Sequence, residues 1–481
     1  MYRSAIRAAA AAMILLSGRL PRAAAADGAL SAETRRAAIL LRDKAFARTG
    51  ASGWARSLTD RVGPRPAGSA GDRAAVAWAL AAMKSAGLSR VRAEKVIVPV
   101  WKRGVETGSI VSPYPQPLVL TALGGSIPTP PDGLEAEVLE VSSIEDLESR
   151  AESARGRIVF FDKKMARALD MSGYSRAVDV RDQGASAAAK AGAVGALIRS
   201  IGTDRNRTPH TGGVTYAEGV PRIPAAALSI PDAELLERIV AEGRPVRVRF
   251  TLGCAPQADA ESANVVGEIP GRGKEPEIVL LGAHLDSWDL GTGAIDDGAG
   301  CGIVLEAARA IIDSRMRPAR TIRVVLFANE EHGLSGGKSY REAHLAELGR
   351  HVAALEADSG SGRPLALSWL AGASAEPALR ELAGILEPLG AGELRPGDSG
   401  GADVSPLRAD GVPQFSIRQD SSRYFDWHHT ANDTFDKIEP ESMDRNAAAV
   451  AAFAWTAASV DPPFERIPED KRHEPPRARR R

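Results

Sequence analysis

Four aspartates and one histidine crowd the stretch GAHLDSWDLGTGAIDDGAG, residues 282–300. An apolar run, Ile278-Val279-Leu280-Leu281, comes before it and an apolar helical pattern follows. Further on, LFANEEHGLSGG supplies Glu330 and Glu331, LEADSG supplies Asp358, and FDWHHTANDTFD supplies His428, His429 and Asp433. Converging carboxylates repel one another unless protons or cations neutralise them. Metal ions are the economical neutraliser. A set of His284, Asp296, Glu331, Asp358 and His429 offers two imidazoles and three carboxylates, with Asp296 as the bridge. Three carboxylates and one hydroxide balance two divalent cations. Two ions about 3.5–4 Å apart around a shared water form the arrangement of two-metal hydrolases. Imidazole and carboxylate ligands favour zinc, with cobalt or manganese as substitutes.

The adjacent glutamates divide naturally. Neighbours on an extended chain point in opposite directions, so one can face the metals and the other the water, and Glu331 is assigned to the metals. Glu330 then faces the water as general base, moving its proton to the leaving amine. Asp286, two residues after His284, is expected to orient that imidazole. Taken singly, each motif is weak. His-x-Asp occurs in many surface loops, Glu-Glu commonly opens a solvated helix, and Asp-Asp-Gly is commonly a turn. Their recurrence at successive strand ends is what carries the reading. His332 reads as a loop residue, His344 and His351 as surface or packing residues, and Cys301 as a buried, inert thiol.

The positioning elements follow from periodicity. EIVLL, TIRVVLFA (321–328), HVAALEA (351–357) and GVPQFSI (411–417) read as strands. Helical patterns run over 298–312, from about Ser335 to Leu348, and from Glu441 to Ala458. Strands alternating with helices imply a parallel sheet covered on both faces. In such sheets ligands bind outside the carboxyl ends of the strands, where every acidic cluster falls. Residues 31–88 are helical in pattern, and 91–101 alternate as a strand. Residues 108–255 differ in texture, with Pro/Gly punctuation, a strand at GRIVFFDK, an Ala-rich helix running into a strand at 184–200, IPAAALSI, a helix at 231–243 and a strand at PVRVRFTL. They are expected to form an inserted, β-rich module.

At 481 residues, with 44% apolar and 25% charged residues, the chain suits two or three globular domains. Lys+Arg equals Asp+Glu at 61 each, which gives no ground for nucleic acid or an anionic membrane as partner. Two cysteines, Cys254 and Cys301, cannot build a thiolate metal cage, so any ligands are nitrogen and oxygen. Arg3 and Arg7, the apolar Ala8–Leu16 and the small residues Ala23–Ala26 read as a signal peptide over 1–26, so the chain is expected to be secreted or periplasmic. No segment has the roughly 20 apolar residues of a membrane span. Residues 466–481 read as a solvated, disordered tail.

VGPRPAGS, NVVGEIPG (264–271), GAHLDSWDLGTGAIDDGAG, LFANEEHGLSGG, LEADSG and HHTANDT together resemble the co-catalytic zinc exopeptidases, the family of bacterial leucyl aminopeptidase and plasma glutamate carboxypeptidase, with the carboxypeptidase Q branch nearest. The pieces run in family order over roughly residues 30–460. The resemblance implies an α/β fold, a mixed and mostly parallel sheet flanked by helices, divided between residues 27–107 and 256–465. The module at 108–255 would be a protease-associated domain that lids the site or controls access. Two zinc ions would be held by His284, Asp296 (bridging), Glu331, Asp358 and His429, with Glu330 as base. His429 is preferred over His428 because the second histidine before T-x-x-D-T is the ligand in the family. The implied substrates are dipeptides or short peptides. The alternatives are an aminopeptidase acting on longer peptides and a non-catalytic peptide-binding scaffold of the same fold. Gly400–Asp403 and Ser416–Tyr424, with Arg418 and Arg423, are candidates for substrate contacts, or ordinary surface charges. A homodimer is expected on the resemblance.

Overall fold

The strand Lys274–His284 delivers the first acidic cluster and lies inside an eight-stranded sheet in the computed structural model, which describes residues 29–397 and 400–473. The signal-peptide expectation falls outside the described residues. Across the sheet the order is Ser89–Lys102, Ala255–Ile269, Arg320–Phe327, Lys274–His284, His351–Glu356, Gln414–Gln419, Pro364–Leu370 and Glu393–Pro396. The four inner strands, from Arg320–Phe327 to Gln414–Gln419, are mutually parallel. Antiparallel pairings flank them: Ala255–Ile269 on one side and Pro364–Leu370 on the other. The sheet is therefore mixed with a parallel centre. Register aligns His284 with Phe327 and Gly282 with Glu356, so the inner strands end level with one another.

Burial explains the parallel centre. Every residue of Arg320–Phe327 and His351–Glu356 is buried, as strands covered on both faces require. Side chains alternate between two cores. Val279, Leu281 and Ala283 pack with helices Ala32–Arg48, Ala51–Arg61, Ala299–Asp313 and Pro440–Ser459. Leu280, Val325 and Phe327 face the opposite way, onto Tyr340 of helix Ser335–Ala343 and onto Val404.

Residues from Glu106 to Leu252 build a second eight-stranded sheet. Four of its strands, Leu134–Val141, Ile158–Phe161, Gly195–Arg199 and Ala225–Leu228, are parallel neighbours. Helix Ile230–Val240 covers one face through Leu236 and Ile239, and helix Asp179–Lys190 covers the other through Ala185 and Ala188. This unit is thus itself α/β, with its own cores, and its two covering helices fall where the sequence placed an Ala-rich helix within 184–200 and a helix over 231–243. The tail expected from residue 466 is anchored at its start. Ile467 is buried and its N–H donates to Gly411 O at 3.0 Å. The remainder of that expectation lies outside the described residues. Among the described residues no helix is long and apolar enough to cross a membrane.

His351 is a core residue. Its Nδ1 donates to Glu347 O (3.1 Å) and its Nε2 accepts from the Tyr340 hydroxyl (2.9 Å). Burial pushes its pKa down from 6.5 to about 4, although the Glu347 carbonyl works the other way. Between those values the unfolded chain binds the extra proton, so stability falls as pH drops through that window. The loss is on the order of 3 kcal/mol by pH 4, at about 1.4 kcal/mol per pH unit. Urea unfolding at pH 7 and pH 4.5 should show a smaller acid loss in His351→Gln than in the wild type. Equal losses would remove His351 as the cause.

Candidate metal centre

The first strand ends on His284, whose position is fixed from three sides. Its N–H donates to Asp297 (3.1 Å), its carbonyl accepts from the Cys301 thiol (3.1 Å), and its Nδ1 donates to the Asp286 carbonyl (3.2 Å). Asp297 also accepts from Gly300 N at 2.9 Å and so joins the strand end to the start of helix Ala299–Asp313. A Cβ on Gly300 would stand 1.9 Å from Ala357 O and 2.4 Å from the Asp297 carboxylate. That is one physical reason for glycine here. Burial lifts the Cys301 thiol to about 12, as expected of an inert thiol, and both cysteines are unpaired.

Asp296 sits in the irregular turn Ala294–Gly298, where it and Asp297 leave helical φ/ψ. The Asp433 carboxylate accepts from the backbone N–H of Ile295 (2.6 Å) and Asp296 (3.2 Å), pinning that turn. The preceding loop is held by Arg65, which is fully buried and donates to Leu285 O, Thr292 O and Gly293 O.

Glu330 and Glu331 do not continue the strand Arg320–Phe327. Asn329 adopts φ +60°, and the two glutamates lie in a turn. Alternation along an extended chain therefore is not what separates them, and both line the same cavity. Asp286 anchors this turn by accepting from Glu330 N (3.0 Å) and Glu331 N (3.4 Å). Its carboxylate lies 3.6 Å from His284 Nδ1, so its own carbonyl is the nearer partner of that ring.

These turns bring together all five side chains singled out as ligands. Asp296 Oδ1 lies 3.0 Å from His284 Nε2, and Asp358 Oδ1 lies 3.8 Å from that same nitrogen. Asp296 Oδ2 lies 3.2 Å from His429 Nε2, which is 3.0 Å from Glu331 Oε2. One oxygen of Asp296 thus serves each half of the cluster. His428 stacks on His429 with ring centroids 3.5 Å apart, and its Nε2 is 3.5 Å from Asp296. It lacks the Glu331 contact that His429 makes.

The electrostatics mark a crowded acidic site. Burial and repulsion from Asp296 and Glu331 raise Asp358 to about 6, against the pull of His284. Burial, Asp358 and Glu331 hold Glu330 well above the usual carboxylate range. Asp296 goes the other way despite burial, because His284 and His429 hydrogen-bond to it. Those contacts, with Glu331, lift His429 to about 9 against the effect of burial. Glu331 Oε1 is buried without a hydrogen-bond partner. A nitrogen-and-oxygen donor set with an orphaned carboxylate oxygen and excess negative charge fits divalent cations.

The cluster opens into a cavity of about 610 Å³. Part of its wall belongs to the second unit and includes Tyr174, Arg181, Asp182 and Arg222, with Arg181 Nη1 3.5 Å from His429 Nδ1. Nothing in the sequence pattern pointed to these residues. Neither Arg418 nor Arg423 is among the described residues lining this cavity. Arg423 packs over the Trp427 ring and lines a separate cavity.

Residues 264–454, the segment that carries every proposed ligand, match Peptidase family M28. The chain belongs to that family and is a metallo-exopeptidase. It is 37% identical to carboxypeptidase Q of Mus musculus over 404 residues, covering 84% of each chain. The crystal structure of a peptidase M28 precursor from Shewanella amazonensis superposes with a TM-score of 0.89 at 48% identity, covering 91% of this chain and 99% of that one. A zinc aminopeptidase from Bacillus subtilis, BSAP, shares the fold with a TM-score of 0.62 at 23% identity, over 87% and 98% of the two chains.

Proposed function

We propose that this peptidase works with two zinc ions and cleaves dipeptides or short peptides, with Glu330 as general base. The observation that supports it most is Asp296, whose two carboxylate oxygens face different halves of the ligand set. His284 and Asp358 would hold one ion, His429 and Glu331 the other, with Asp296 shared. When bound, such ions polarise the scissile carbonyl and make water acidic enough to attack near neutral pH.

The chain's own residues do the rest. Glu330 takes a proton from the attacking water and hands it to the leaving amine as the C–N bond breaks. Asp286 keeps the Glu330 backbone in place through its hydrogen bond. Arg222, on the part of the cavity wall that the second unit supplies, is suited to a substrate carboxylate. The likeness to carboxypeptidase Q favours dipeptides. An aminopeptidase acting on longer peptides is the second reading, favoured by the fold shared with BSAP. The first reading makes the 106–252 unit a protease-associated domain and the chain an exported homodimer, on the family likeness and the amino-terminal pattern.

A panel of dipeptides and tripeptides, with free and blocked termini, tests this directly. Hydrolysis of free dipeptides that stops with a chelator and returns with zinc is expected. Cleavage of blocked-carboxyl substrates at equal rate would favour the aminopeptidase, and no hydrolysis of any free dipeptide with zinc present would overturn the short-peptide reading.

A further inference from the structure

His429 differs from the other proposed ligands in what supports it. It comes from the loop after Gln414–Gln419, and its backbone is left-handed at φ +62°, which a residue with a β-carbon disfavours. Such a conformation persists only when its surroundings fix it. The peptidase part supplies some of these surroundings, with His428 N donating to Tyr424 O at 3.0 Å, and the second unit supplies the rest. His210 Nδ1 meets His428 O at 2.7 Å, and since a carbonyl only accepts, the proton is on Nδ1. Thr211 N donates to His429 O at 3.0 Å. In return His429 Nδ1 lies 3.2 Å from Thr211 O. The ring of His210 is held by Asp204 on its far nitrogen (2.6 Å), and its backbone N–H donates to Ser200 Oγ (2.8 Å). His210 and Thr211 are each 1% exposed. A metal-ligating histidine is aimed by the partner of its other ring nitrogen, and the nearer group at that nitrogen is the Thr211 carbonyl of the second unit, with Arg181 Nη1 farther off at 3.5 Å.

We propose that the 106–252 unit is a structural part of the metal centre, and that His210 is a positioning residue holding the His428–His429 segment in ligating geometry. The inference rests on the two-zinc reading and adds that the half containing His429 and Glu331 depends on a residue outside the peptidase sheet.

The test compares three substitutions in the full-length chain by zinc titration against a chromogenic chelator. Asparagine places an amide N–H where Nδ1 stands, whereas glutamine and leucine do not. His210→Asn should bind both zinc equivalents nearly as the wild type does. His210→Gln and His210→Leu should bind one equivalent 10–100-fold more weakly, the usual effect of losing such a support, and leave the other unchanged. Peptidase activity of His210→Gln should return towards the wild-type level as zinc is raised, which a general folding defect would not allow. Wild-type zinc affinity in His210→Gln, or loss in His210→Asn equal to that in His210→Leu, would overturn the proposal. So would failure of all three to fold, since His210 would then be a core residue. A wild-type chain that takes up no zinc would instead sink the two-zinc reading, and would be seen before any variant is compared.

Discussion

Glu330→Gln is expected to lower kcat by about 10²–10⁴, the range for loss of a positioned general base, while zinc content and KM stay close to wild type. Glutamine has nearly the shape of glutamate and keeps the backbone N–H that donates to Asp286. It cannot take a proton from water. Glu330 makes no close contact with His284 or His429, in contrast to Glu331, whose Oε2 is 3.0 Å from His429 Nε2. Loss of turnover with the metal retained would therefore separate proton transfer from metal binding. Measuring kcat, KM and bound zinc on one preparation checks this. Undiminished kcat would place the base elsewhere, and loss of zinc would make Glu330 a ligand.

Asp296→Asn has the second large expected effect. The amide keeps one acceptor oxygen and turns an NH₂ towards one half of the cluster, where a cation would have sat. One negative charge is also lost from a site whose cation affinity depends on charge. Bound zinc is expected to fall from two per chain to one or fewer, with activity falling at least as far as in Glu330→Gln. The fold should survive, because Asp433 holds the backbone N–H groups of residues 295 and 296 rather than the Asp296 side chain. Circular dichroism that matches wild type would show it. Unchanged zinc content in a folded variant would remove the bridge.

The proposed ligands were legible because the inner strands of a parallel sheet end together. His284, the Glu330–Glu331 pair and Asp358 follow three such strands, and that regularity is visible in hydrophobic runs alone. The turn at Asn329 was not legible, since the preceding strand gives no sign that φ will change sign there. The strand Ala255–Ile269 was missed because its first half, with the exposed residues of APQADAE, lacks the apolar run of a buried strand. Thr211 was out of reach for a deeper reason. Its contribution is a backbone carbonyl, which every residue type carries, so no side-chain pattern marks it. Arg65 lay inside a quoted motif, but its acceptors are likewise carbonyls, about 220 residues away in sequence.

Anomalous diffraction at the zinc edge, from crystals of the wild type and of Asp296→Asn, tests the central claim most directly. The account predicts two wild-type peaks about 3.5–4 Å apart, one beside His284 and Asp358 and one beside His429 and Glu331, with Asp296 between them and at least one peak lost in the variant. A single wild-type peak in zinc-replete crystals, or two peaks that both survive Asp296→Asn unchanged, would contradict it.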